Sequence, residues 1–175
     1  SKPPSTIELE WYIDKMNVKI KNIIKKKNKS KIVSLTAYSK NIAKILDKYC
    51  DIVLVGDSMA NVLYGSKNTH EITLKNIIQH TLSVKKGIIK SLLVVDMPKG
   101  SYLNEIIAKK NAKFIMRSTG CDAVKIESNK KNYKIIKELV KNKIPVMGHI
   151  GFTPQFKTKF KIEGDTIKKA KNLLY

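Results

Sequence analysis

Three acidic residues each follow a short apolar run, at the point where a buried strand would end. They are Asp57 after Ile52–Val55, Asp96 after Leu92–Val95, and Glu127 after Ala123–Ile126. The runs are short, continuous and rich in β-branched residues, so they predict buried parallel strands. The carboxyl ends of such strands share one edge, where α/β folds place their ligands. Three carboxylates there would repel one another without a cation, and an all-oxygen ligand set favours Mg²⁺.

Each acid also has a simpler explanation. An aspartate after a strand often caps the next helix or ends the strand in solvent. Three acids in matching positions, one of them in Gly56-Asp57-Ser58, favour a shared site. Spacing by itself leaves both interpretations open.

Other polar residues fall at the same predicted edge. Lys125 lies two residues before Glu127 on one strand, so both side chains point the same way. A lysine beside such a metal suits an anionic substrate such as a 2-oxo acid, although it could instead reach water. His149 follows another strand, and Ser58 follows Asp57. Either could bind substrate, or could only hydrogen-bond a loop or cap a turn.

The chain alternates strands and helices five times, which predicts a parallel sheet with right-handed crossovers. The expected strands are 32–37, 52–55, 92–95, 122–126 and 145–148. The expected helix caps are Ser39, Thr73, Asn104 and Ser128, and a last helix is expected over 166–175. Both a doubly wound sheet and the first five units of an eight-fold barrel fit this alternation.

Three further features are expected along the chain. A capping box of Ser5 and Glu8 is expected to open a helix running toward residue 26. The helix after Ser39 is expected to bury a face of Ile42, Ile45 and Leu46. Residues 59–72 lack helical or strand periodicity and are expected to form a long loop over the carboxyl ends of the strands. Residues 1–30 are therefore expected to form a helical segment with a charged linker, and residues 31–175 an incomplete β/α domain that carries the predicted site.

The composition is strongly basic, with 35 Lys+Arg, 14 Asp+Glu and a formal net charge of +21. Arg117 is the only arginine in the sequence, whereas nucleic-acid binders favour arginine for phosphate and base contacts. The lysines are spread over every predicted helix, which indicates a solvated surface and no nucleic-acid partner. No apolar run approaches 18 residues, so no membrane span is predicted. Cys50 and Cys121 lack metal or redox spacing and indicate reduced thiols in a cytoplasmic protein.

Several motifs together resemble the ketopantoate hydroxymethyltransferase family over residues 31–155. They are LTAYS at 35–39, VLVGDS at 53–58, HT at 80–81, DMPKGSY at 96–102, VKIE at 124–127 and GHIGFTPQ at 148–155. The resemblance implies a TIM-type (β/α)₈ barrel, here with about five of its β/α units. It also implies a homodecamer acting in pantothenate biosynthesis. The implied reaction transfers a hydroxymethyl group from 5,10-methylenetetrahydrofolate to 3-methyl-2-oxobutanoate, giving 2-dehydropantoate.

The resemblance also implies residue roles. It assigns the metal to Asp57, Asp96 and Glu127. It assigns the oxo acid to Asp57, Ser58, Asp96 and Lys125. It gives catalytic roles to Lys125 and His149. Mg²⁺ chelated by the 2-oxo acid would stabilise an enolate formed at C3, and Lys125 would add positive charge.

The sequence departs from the family in two places. Lys99 stands where the family has an aromatic residue, and the loop after Gln155 is shortened. The family's general base, a glutamate ending the sixth strand, is expected beyond Tyr175. These 175 residues are therefore expected to bind substrate without turning it over.

Two other functions remain open. One is another Mg²⁺-dependent lyase or mutase of 2-oxo acids from the phosphoenolpyruvate-type barrels. The other is a basic nucleic-acid-binding module, for which the sequence lacks a clustered arginine patch.

Overall fold

A computed structural model describes residues 17–129, 132–157 and 162–174. Ser5 and Glu8, the expected capping box, lie outside these residues. The described strands are β1 Ser34–Thr36, β2 Ile52–Val55, β3 Leu92–Asp96, β4 Ala123–Glu127 and β5 Val146–His149. The described helices are α1 Val18–Lys26, α2 Lys40–Leu46, α3 Met59–Tyr64, α4 Leu74–Lys85, α5 Glu105–Thr119, α6 Tyr133–Lys141 and α7 Ile167–Leu174. A 3₁₀ turn at Thr69–Glu71 separates α3 from α4.

The five strands pair in parallel and in chain order, from β1 to β5. A doubly wound sheet would reverse its strand order at a switch point. Consecutive order is instead that of a barrel wall, in which each helix returns the chain to the next strand along. The structure therefore favours the barrel alternative over the open sheet.

The two faces of the sheet carry alternate residues of each strand. In β3, Leu93 and Val95 join the core beneath the helices. Leu92 and Val94 instead join a second apolar cluster on the opposite face. Because alternate residues share a face, Asp96 lies on the side of Leu92 and Val94. We call this the inner face.

Helix α1 packs against the inner face, where Ile20 contributes to the second cluster. Polar contacts hold this helix beside residues that precede strands. Asn17 donates to Asp122 at 2.8 Å, and Lys26 pairs with Asp51 at 2.5 Å. Acids therefore occur at both ends of the strands, and those at the amino ends anchor a helix.

Residues 59–72 were expected to form a loop, and this prediction is wrong. The segment contains α3 and the 3₁₀ turn. Helix α3 has six residues and ends at Gly65, whose φ of 67° is left-handed. Fewer than two turns are too short to show a helical period in the sequence.

The face of α2 also differs from the prediction. Ile42 and Ile45 are 49% and 56% exposed, whereas Ala43 is fully buried. A Cβ on Gly87 would lie only 2.4 Å from the Lys40 carbonyl oxygen. The helix therefore approaches the Gly87 turn backbone to backbone, which selects the small Ala43 and turns both isoleucines outward.

Ser128 does not cap α6 as expected. Asn132 is the residue before this helix, and it exchanges hydrogen bonds with Asn129 at 2.8 and 3.2 Å. The Ser128 amide instead donates to the His149 carbonyl at 2.7 Å. Ser128 therefore extends the contact between β4 and β5.

Within residues 17–129, 132–157 and 162–174, no helix has both the length and the apolar character to cross a membrane.

Candidate active site at the carboxyl ends of the strands

Asp57 and Asp96 lie side by side at the carboxyl ends of β2 and β3. Their side chains are buried, and the Asp57 backbone amide donates to Asp96 Oδ2 at 3.1 Å. A Cβ at Gly56 would be tight against Ser58 Oγ, at 3.0 Å, and in ordinary contact with Asp96 Oδ2, at 3.4 Å. The structure therefore brings two of the three sequence-predicted acids together.

Lys125 is the register neighbour of Asp96 across β3 and β4. Its Nζ lies 2.8 Å from Asp96 Oδ1, with side-chain exposures of 16% and 5% for the lysine and aspartate. A charge-assisted hydrogen bond this well buried is stronger than a surface ion pair. It fixes a positive charge beside the acidic cluster.

Glu127 and His149 are register neighbours across β4 and β5. His149 Nδ1 lies 3.9 Å from Glu127 Oε1. This nitrogen is buried and has no hydrogen-bond partner within the described residues. Burial, with the nearby Lys125 charge, lowers the pKa of His149, so the imidazole is neutral and the contact is not an ion pair.

Gln155 joins this cluster, although neither its residue type nor its spacing suggested a role. Its side-chain amide donates to Asp57 Oδ2 at 2.7 Å and to the Met97 carbonyl at 3.0 Å. Its backbone amide donates to Glu127 Oε2 at 3.1 Å, and Tyr102 donates its hydroxyl to Gln155 Oε1. The available signal was positional, since Gln155 and Tyr102 each end a motif of the family resemblance.

Ser58 lies at the edge of the cluster and contacts a different network. Its Oγ lies 2.7 Å from the Tyr38 hydroxyl. The Tyr38 carbonyl accepts from His80 Nδ1 at 2.8 Å, and His80 Nε2 lies 2.8 Å from the Tyr64 hydroxyl. Because a carbonyl only accepts, His80 Nδ1 carries the proton that it donates to Tyr38.

The acids carry more negative charge than the neighbouring lysine neutralises. Desolvation by burial, then repulsion from Asp96, raises the pKa of Asp57 to about 6, although Gln155, Lys125 and Thr69 lower it. Burial likewise raises the pKa of Glu127 to about 7. Burial and the negative charges of Glu127, Asp57 and Asp96 also raise the pKa of Tyr102. The site is thus a buried anionic cluster that favours a cation.

The raised pKa of Glu127 predicts a pH-dependent stability. A carboxyl with a pKa of about 7 folded and 4.5 unfolded binds more protons when folded, so stability falls as pH rises through 7. Between pH 5 and 8, metal-free protein should lose about 2–3 kcal/mol through this group. Urea unfolding in EDTA at both pH values measures the loss.

Glu127→Gln should remove this pH-dependent loss of stability, whereas Glu71→Gln, at an exposed site, should retain it. Because the pKa of His149 is lowered in the folded protein, this residue makes stability rise with pH below its unfolded pKa of 6.5. Comparing wild type with Glu127→Gln separates the contribution of Glu127 from that of His149. Equal pH slopes in wild type and Glu127→Gln would contradict the prediction.

The donor set suits a hard divalent cation, since Asp57, Asp96 and Glu127 offer only carboxylate oxygens. Their side chains here are turned toward Lys125 and Gln155. Accordingly, no three His, Cys, Asp or Glu side chains in the described part of the chain stand at metal-ligand spacing. The metal roles of these acids therefore remain a prediction.

The fold and this cluster define an α/β barrel-type protein with a buried acidic cluster at the carboxyl ends of its strands. The family model for ketopantoate hydroxymethyltransferase matches residues 17–175. The chain belongs to the ketopantoate hydroxymethyltransferase family.

Curated relatives agree with this assignment. A 3-methyl-2-oxobutanoate hydroxymethyltransferase of Pelagibacter ubique is 57% identical over 91% of this chain and 62% of its own length. The Campylobacter fetus protein of the same name is 45% identical over 90% of this chain and 61% of its own length. The chain thus spans about three-fifths of the length of these relatives.

Solved structures agree on the fold. Two crystal forms of 2,3-dimethylmalate lyase, described as a PEP mutase/isocitrate lyase superfamily member, align with TM-scores of 0.54 and 0.55 at 14% and 12% identity. They cover 74% and 76% of this chain and 51% and 50% of theirs. At such identities the likeness shows the shared fold alone.

Proposed function

We propose that the protein acts in the transfer of a hydroxymethyl group from 5,10-methylenetetrahydrofolate to 3-methyl-2-oxobutanoate, giving 2-dehydropantoate, and that the described residues supply the groups that bind the cation and the oxo acid. The main observation in support of this function is the buried Asp96–Lys125 ion pair, which lies between Asp57 and Glu127 at one edge of the sheet. Family membership supports this choice of reaction. The folate donor and a homodecamer are what the family resemblance implies, and Cys50 and Cys121 indicate a cytoplasmic location; all three are part of this proposal.

The substrate has a carboxylate and a 2-oxo group, and the pocket offers a partner for each. Lys125 supplies the positive charge that a substrate carboxylate needs. Ser58 can donate its hydroxyl to a substrate oxygen, since the Tyr38 hydroxyl 2.7 Å away can donate to Ser58 in turn. These two groups lie beside Asp57 and Asp96, which would orient the oxo acid between the strand ends.

Asp57, Asp96 and Glu127 would hold the divalent cation. A bound Mg²⁺ would supply a Lewis acid that stabilises the negative charge developing on the oxo oxygen when C3 loses its proton. The chain's part is to place Lys125 near that charge and to keep the pocket dry through burial. The new bond from C3 to the methylene carbon, together with a bond to a hydroxyl oxygen, would replace that carbon's two bonds to the folate nitrogens. Water would supply the hydroxyl oxygen, and the proton lost from C3 and one proton of that water would balance the two protons gained by the folate nitrogens.

Neutral His149 suits a hydrogen-bonding role. Its buried Nδ1 has no hydrogen-bond partner within the described residues. A bound substrate or donor would satisfy it, because unsatisfied buried polar atoms cost about 1–3 kcal/mol. We therefore assign His149 to hold a ligand atom beside Glu127.

The proposed function predicts that Lys125 contacts the oxo acid. Lys125→Met removes the charge but retains the length of the aliphatic stem. Binding of 3-methyl-2-oxobutanoate in the presence of Mg²⁺, measured by calorimetry, should weaken at least about tenfold, because a charge-assisted hydrogen bond contributes about 1.5–3 kcal/mol. Lys86→Met, at an exposed helix end, is the matched control.

The same titration tests the proposed function. Wild type should bind the oxo acid only with a divalent cation present. Binding of the oxo acid with equal affinity in EDTA would exclude the cation from the proposed site. A Lys125→Met variant that binds as tightly as wild type would remove Lys125 from the substrate contacts.

A further inference from the structure

We propose that Gln155 is a positioning residue that holds the carboxylates of Asp57 and Glu127 in place for a divalent cation, and that Tyr102 fixes the orientation of the Gln155 amide. The proposal rests on the proposed function. It gives a role to two motif residues that the family resemblance left without one.

Gln155 joins the carboxyl ends of four strands. It follows β5 and donates to Asp57 after β2, to the Met97 carbonyl after β3, and to Glu127 at the end of β4. Its own side chain is 3% exposed. A single buried residue therefore sets the spacing between two acids that are 70 positions apart in the chain.

The polarity of these bonds leaves one orientation for the amide. The Asp57 carboxylate and the Met97 carbonyl can only accept, so both must face the Gln155 NH₂ group. The amide oxygen is then turned toward Tyr102, whose hydroxyl donates to it. Tyr102 therefore stabilises this orientation of the amide. A flipped amide would bring the Gln155 oxygen against the Asp57 carboxylate oxygen, and the two would repel.

Gln155 takes only one oxygen from each carboxylate. It holds Asp57 Oδ2 and Glu127 Oε2, while Glu127 Oε1 lies 3.9 Å from His149 Nδ1. Donors that hold one oxygen of a carboxylate orient the other toward a metal. Gln155 thus arranges the acids without occupying all their ligand positions.

The loop that carries Gln155 is itself supported by Lys99. The Pro154 carbonyl lies 3.2 Å from His70 Nε2, and Lys99 Nζ lies 3.1 Å from His70 Nδ1. A carbonyl only accepts, so His70 Nε2 donates its proton to Pro154, while Lys99 Nζ lies near both ring nitrogens, at 3.1 and 3.3 Å. Lys99, which departs from the family pattern, therefore contacts His70, the residue that supports this loop.

The test measures Mn²⁺ affinity by electron paramagnetic resonance, using the full chain. Gln155→Met keeps the side-chain length but removes the amide, and Mn²⁺ should bind roughly 10- to 100-fold more weakly. Gln79→Met, on the exposed face of α4, is the matched control and should bind as wild type. Thermal unfolding of each variant separates lost affinity from lost fold.

Tyr102→Phe is the second variant, since it removes only the hydroxyl. It should weaken Mn²⁺ binding by roughly 2- to 10-fold, the equivalent of one hydrogen bond. Tyr49→Phe is its control, because Tyr49 is 75% exposed. A folded Gln155→Met that binds Mn²⁺ within twofold of wild type would overturn the positioning role and leave the proposed function standing.

Crystal structures of metal-free wild type and Gln155→Met provide the second measurement. The Asp57 carboxylate should turn away from its wild-type position in the variant. If wild type bound no Mn²⁺, the cation in the proposed function would fail. A turned Asp57 carboxylate would then still support positioning by Gln155, and unmoved Asp57 and Glu127 carboxylates would overturn it.

Discussion

Asp96→Asn should abolish cation-dependent binding of the oxo acid, with an affinity loss of more than roughly 100-fold. Asp96 contacts Lys125 through one oxygen and the Asp57 amide through the other. Asparagine has a single acceptor oxygen, so its NH₂ must face one of these two donors. The substitution therefore removes a charge and also disrupts the contact that holds Asp57 beside it.

The same substitution should reduce the free energy of unfolding by about 3 kcal/mol, because Lys125 would be left buried without its anionic partner. Urea unfolding measures this loss, and calorimetry with Mg²⁺ and 3-methyl-2-oxobutanoate measures binding. Asp165→Asn is the control, since its pair with Lys169 is exposed and contributes little. A folded Asp96→Asn protein that retained wild-type affinity would remove Asp96 from the site.

Proton exchange at C3 of the oxo acid should separate binding from turnover. The family resemblance puts the general base beyond Tyr175, and a positioned base contributes typically about 10²–10⁴-fold. The 175 residues should therefore bind 3-methyl-2-oxobutanoate with Mg²⁺ and exchange its C3 proton about 10²–10⁴-fold more slowly than a barrel that carries the base would.

The comparison protein is this chain continued by the remaining carboxyl-terminal part of the Pelagibacter ubique relative. Nuclear magnetic resonance follows loss of the C3 signal in deuterium oxide for both proteins at saturating substrate. The oxo acid in buffer with Mg²⁺ gives the uncatalysed rate. Equal exchange in the two proteins would show that the base lies within these 175 residues.

The alternation of elements was predictable because each carries a local signal. The buried strands are continuous β-branched runs, and Thr73 and Asn104 are the expected caps, with Gly120 ending α5 at a φ of 64°. Helix α3 escaped prediction because six residues show no period. The outward turn of Ile42 and Ile45 escaped it too, because backbone contact at Gly87 decides which face of α2 is buried.

The sequence by itself determined which acids end strands, and that Lys125 and Glu127 share a side, because strand alternation is local and has a period of two. The order of the strands required the tertiary structure, since an open sheet and a barrel wall share one alternation pattern. The tertiary structure also decided the pairings of Lys125 with Asp96 and of His149 with Glu127, because these depend on the register between strands. Gln155 is the clearest case, because a loop residue joins acids 98 and 28 positions away only after the sheet has brought the strand ends together.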